Sequence, residues 1–179
     1  MASETTHTIP PDQEFIDFAQ QVFQLARTGD APTLAGLLQK GLPPNMSNHK
    51  GDTLLMLAAY HGHVDATQAL LQAGAEPDRY NDMAQTPLGA CTFKGYQAIA
   101  ELLLAHGAQP DLAPPGGKTP LMFAAMFNRL DILKMLLAQG IDVDTRSSEG
   151  LTALELARSM GANDTAAYLE AIGKEGSPT

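Results

Sequence analysis

Glycine stands at positions 41, 74, 107, 140 and 173, and leucine at 37, 70, 103, 136 and 169, both at intervals of 33 residues. Threonine keeps the same interval at 53, 86, 119 and 152. A fixed period of this length is the signature of stacked units, each burying its apolar face on its neighbours, rather than of a domain built round one central core. A chain of 179 residues holds five such units.

The period resolves into local structure. From Gly51, Ala84, Gly117 and Gly150, each unit opens with a turn. Thr53, Thr86, Thr119 and Thr152 then stand where a helix needs an N-cap, and Pro87 and Pro120 follow at the first helical position, where a missing N–H costs nothing. Short apolar helices such as LMLAAY and MFAAMF come next and end at Gly62, Gly95, Asn128 and Gly161, with Gly29 matching upstream. Asparagine is the non-glycine residue that best tolerates a left-handed backbone, so Asn128 fits the same turn. A second helix follows and is expected to stop at the glycine of the 41/74/107/140/173 series, a C-cap with positive φ.

These features resemble the ankyrin repeat. Its T-P-L-H-x-A-A stretch is matched by Thr119-Pro120-Leu121 with Ala124-Ala125, its G-H pair by Gly62-His63, its L-L doublet by Leu70-Leu71, and its closing G-A-D-x-N by Gly74-Ala75-Glu76-Pro77-Asp78. The resemblance covers about residues 15–173 and implies an all-α solenoid of helix-turn-helix units with short turn fingers. The units fall at about 12–50, 51–83, 84–116, 117–149 and 150–173. One departure stands out. The signature histidine, which in the family helps bond adjacent units, is replaced by Met56, Gly89, Met122 and Glu155, so apolar stacking is expected to carry more of the load. Gly89, inside a helix, lowers local stability by about 1 kcal/mol relative to alanine.

The end units read as caps. Phe15, Phe18, Val22 and Leu25 recur at helical spacing in residues 13–27, with Asp12 as a candidate N-cap, while Glu155, Arg158, Asn163, Asp164 and Glu170 make the last unit more polar. Residues 1–11 and 174–179 read as disordered tails.

Composition narrows the functions. The formal net charge is −9, which disfavours nucleic acid and anionic membrane surfaces, both of which select a basic footprint. No apolar stretch approaches membrane-spanning length and no secretory signal opens the chain, so a cytoplasmic monomer is expected. Cys91, the single cysteine, aligns with Ala58, Ala124 and Ala157 and reads as a small buried residue. The pair His61 and His63 lacks a third ligand at metal spacing. Gly116-Gly117-Lys118-Thr119 lacks the upstream glycine of a phosphate loop. Neither a metal nor a cofactor nor catalysis is therefore expected.

The resemblance implies a partner protein bound on the concave face, built from the fingers and the exposed edges of the first helices. By position, the fingers bring Asp82, Met83 and Lys118, and the helix edges bring Tyr60, His61, Phe93, Lys94, Met126 and Phe127. Tyr60, Phe93 and Met126 are themselves 33 residues apart, so stacking lines them up; they form an apolar stripe on the surface or lean inward between units. On this face Lys50, Lys94 and Lys118 balance Asp52, Asp82 and Glu149. An alternative within the same class is an accessory or immunity protein that holds one cognate enzyme; an alternative from another class is an enzyme.

Overall fold

The computed structural model describes residues 13–175, which form ten α-helices. They pair as α1 (Gln13–Thr28) with α2 (Ala31–Gln39), α3 (Leu54–His61) with α4 (Val64–Gln72), α5 (Pro87–Lys94) with α6 (Gln97–Ala105), α7 (Pro120–Met126) with α8 (Leu130–Leu137), and α9 (Ala153–Ser159) with α10 (Asn163–Glu175). Odd-numbered helices stack on one another in one layer and even-numbered helices in a second. The result is an all-α solenoid.

Local chemistry explains each unit. Thr53, Thr86, Thr119 and Thr152 all accept the backbone N–H three residues on, at 3.0–3.3 Å, which satisfies a donor that a helix start otherwise leaves orphaned. At the last of these, Glu155 returns the contact by accepting the Thr152 N–H at 2.8 Å, and that bond holds its carboxyl below the usual range. Each first helix ends on a left-handed residue: Gly29, Gly62, Gly95, Asn128 and Gly161 all have positive φ. Small residues such as Ala58, Cys91, Ala125 and Ala157 let the odd helices approach closely, while Leu70, Leu103, Leu136 and Leu169 of the 33-residue series are buried between layers. Burial of one such leucine contributes about 1.5–3 kcal/mol. The three ion pairs of the described residues are all solvent-accessible and contribute at most about 1 kcal/mol each, so apolar stacking dominates the stability.

Several expectations need correction. Gly173 lies inside α10, which continues through Lys174 and Glu175. No further unit follows for the chain to turn towards, so nothing requires a left-handed residue there. The expected N-terminal tail, the Asp12 cap and positions 176–179 lie outside the described residues. In α1 the packed face is Val22, Phe23 and Ala26, whereas Phe15 and Phe18 are 59% and 41% exposed. Both precede the turns of α1 that meet α3.

Polar bonds between units are also more numerous than the missing histidines suggest. His63 Nε2 donates to the Arg27 carbonyl at 2.8 Å, and Arg129 donates to the Phe93 carbonyl at 3.3 Å from the equivalent place two units on. Thr165 donates to the Ala125 carbonyl at 2.7 Å. Asn45 and Asp78, again 33 residues apart, accept the backbone N–H of Glu76 and Gln109 in the following unit. Asn128 accepts the N–H groups of both Asp164 and Thr165 at 3.1 Å, and so caps a helix in the next unit while ending its own.

Candidate functional site

The fingers get their shape from one repeated contact. Asn48 and Asn81 each accept two backbone N–H groups of their own finger, from Lys50 and Asp52 and from Met83 and Gln85. Ser147 does the same for Glu149 and Leu151. Pro114 stands at the remaining equivalent place, and there Gly117 donates to the Pro114 carbonyl at 2.7 Å instead. Adjacent fingers are tied by Asn81 Nδ2 donating to Asp52 at 2.7 Å and by the Asp82 N–H donating to the Lys50 carbonyl at 3.0 Å.

Between the fingers and the odd-helix layer lie two cavities that share Met83, Gln85 and Phe93. The first, of about 470 Å³, has Met56, Leu57, Tyr60 and Phe93 as its apolar side and Arg27, Asn48, His49, Lys50, Asp52 and His61 round it. The second, of about 260 Å³, is bounded by Gly116, Gly117, Lys118, Phe123, Met126 and Phe127. Together they make a groove along the middle of the array. Of the residues expected on this face, Tyr60, His61, Met83, Phe93, Lys118, Met126 and Phe127 line it. Lys94 reaches its edge, with Nζ 5.1 Å from the Tyr60 ring centre. Asp82 is exposed and does not line either cavity.

Tyr60, Phe93 and Met126 are each half-buried, so the stripe is neither free surface nor closed core. Phe93 meets Phe127 edge to face at 4.6 Å, and the edge of His61 lies on Tyr60 at 5.2 Å. Met83 is 73% exposed at the lip. His61 is also stacked with His63 at 6.3 Å. Its imidazole is held below the usual range by partial burial first, then by His63, Arg27 and Lys94.

Two contributors escape a reading of the sequence. Arg27 belongs to the longer first helix, where the 33-residue alignment assigns no edge position. Phe123 lies over Gly89: a Cβ at Gly89 would come within 3.3 Å of the Phe123 ring, so the glycine makes room for the next unit. Cys91 is fully buried, and burial pushes its thiol up to about 12, far from the range of a reactive cysteine. No group of three or more potential metal ligands occurs among the described residues, and no helix there is long and apolar enough to cross a membrane.

Stacked helix pairs with projecting fingers and a groove on one side define a repeat-solenoid binding protein. The comparisons agree. A family model for ankyrin repeats in three copies matches residues 22–113, just over half of the chain, and one for ankyrin repeats in many copies matches residues 94–157. The chain belongs to the ankyrin repeat family. It is similar to an ankyrin repeat protein of Pseudomonas aeruginosa, with 58% identity over 57 residues; the match covers 32% of this chain and 33% of that protein. Ankyrin repeats generally serve as protein–protein interaction modules, and the family is typically non-catalytic.

Proposed function

We propose that the chain binds a partner protein in the groove between its fingers and its odd-numbered helices, without catalysing a reaction. The observation that carries this is the line of Tyr60, Phe93, Met126 and Phe127, half-buried along two adjoining cavities in the middle of the array. Apolar and aromatic groups set in a central cleft carry most of the energy in protein interfaces, typically 2 kcal/mol or more each on truncation.

Phe93→Ala tests the reading. A fully buried phenylalanine costs about 3–5 kcal/mol of stability on truncation, and half-burial reduces that. The variant is expected to melt within several degrees of wild type but to lose partner capture from the native source at least tenfold. Glu101→Ala, on the exposed side of α6, is expected to capture as wild type does. Equal capture by Phe93→Ala overturns the proposal. One stoichiometric enzyme in the captured material would assign the chain as an accessory or immunity protein, several partners as an adaptor.

A further inference from the structure

The groove and the rest of the molecule carry opposite charge. The whole chain has a net charge of −9, yet the larger cavity is ringed by Arg27 from α1, Lys50 from the first finger and His61 from α3, with Lys94 from α5 at its edge. None of these has a carboxylate at ion-pair distance. Elsewhere the cations of the array are spoken for: Lys118 pairs with Glu149 at 3.6 Å, Arg146 with Glu155 at 3.5 Å and Arg158 with Glu170 at 2.7 Å. The carboxylate within the groove, Asp52, is turned to the amides of Asn48 and Asn81 at 3.1 and 2.7 Å, so it builds the fingers. The charge balance counted from the sequence is therefore broken in the folded molecule. Its positive members at this end of the groove are left without partners, and the lowered pKa of His61 registers their combined field.

Resting on the groove as the binding site, we propose that its occupant is a short acidic segment of the partner protein, with carboxylates set against Arg27, Lys50 and Lys94 and an apolar side chain seated on Tyr60 and Phe93. Charge complementarity of this kind raises association rates and rejects neutral or basic competitors. A nucleic acid fits poorly. Its phosphates form a continuous polyanion that needs a basic track, whereas these cations are few, surround an apolar floor and sit on a strongly acidic protein.

Panning a displayed library of random 12-residue peptides on the intact chain tests this. The expected winners have net negative charge and at least one aromatic or aliphatic residue, and they weaken as salt is raised. They bind at least tenfold more weakly to the triple variant Arg27→Gln, Lys50→Gln, Lys94→Gln, and also to Phe93→Ala, while Glu101→Gln binds them normally. Melting and circular dichroism confirm that the variants are folded; if the triple variant is not, Lys94→Gln and Lys50→Gln are tested singly for an intermediate loss. Neutral or basic winners that still depend on Phe93 overturn the acidic segment but leave the groove standing. Winners indifferent to Phe93 overturn both. An empty selection, or displacement of the winners by a single-stranded 12-nucleotide DNA, overturns the acidic segment.

Discussion

At the scale of the residue, the 33-residue period sets a backbone requirement that the local side chain does not always suit. The finger turns place Gly51 and Gly150 at positive φ, and Ala84 stands at the equivalent place with φ of 54°. A left-handed conformation costs an alanine about 1–2 kcal/mol, and glycine's greater freedom when unfolded returns about 0.4–1 kcal/mol of that. Ala84→Gly is therefore expected to stabilise the chain by roughly 0.5–1 kcal/mol. A denaturant titration checks it: an unchanged or lower midpoint would show that Ala84 is not strained. The third finger differs, with positive φ at Gly116 and none at Gly117. A Cβ on Gly117 would lie 2.6 Å from the Ala84 carbonyl oxygen, so glycine is needed there for close approach.

At the scale of the element, helix ends are satisfied partly from within and partly by neighbours. The threonine caps are internal and follow directly from sequence position. The start of α10 is different, since Asn128, a full unit away, accepts its Asp164 and Thr165 N–H groups and donates to the Asp164 carboxylate at 2.8 Å. Asn128→Gly keeps the left-handed turn but removes these bonds. It is expected to cost about 1 kcal/mol, a fall of roughly 2–4 °C in melting temperature for a chain of this size. Loss of amide protection at the start of α10 in hydrogen exchange would locate the effect; unchanged melting and exchange would show the cross-unit cap to be energetically silent.

At the scale of the whole molecule, each unit depends on its neighbours for burial, so the ends matter most. Helix α1 packs its Val22, Phe23 and Ala26 face on α2 and α3, and without it the apolar side of α3 meets water. Deleting residues 1–28 is expected to give aggregated or self-associated protein, read by size exclusion with light scattering. A monomer that melts like the full chain would show that α1 is not a cap. The fold was legible throughout because period, caps and turn glycines are local and recur unit after unit. Gly173 misled because its role depends on a following unit, and Phe15 and Phe18 because helical spacing does not say how far along a helix the packing extends.

The sequence by itself determined the repeat, the helix pairs, the threonine caps and the line on which Tyr60, Phe93 and Met126 fall, since each follows from position within a 33-residue unit. Only the tertiary structure decided which charges of the groove are used up. Asp52 is drawn to two asparagines and Lys118 to Glu149, whereas Arg27, Lys50 and Lys94 are left facing the cavity without carboxylates. Formal charge is additive along a chain, but ion pairing falls off over a few ångströms. The charge that a binding partner meets is therefore set by the folded distances between side chains of different units, which composition and spacing do not contain.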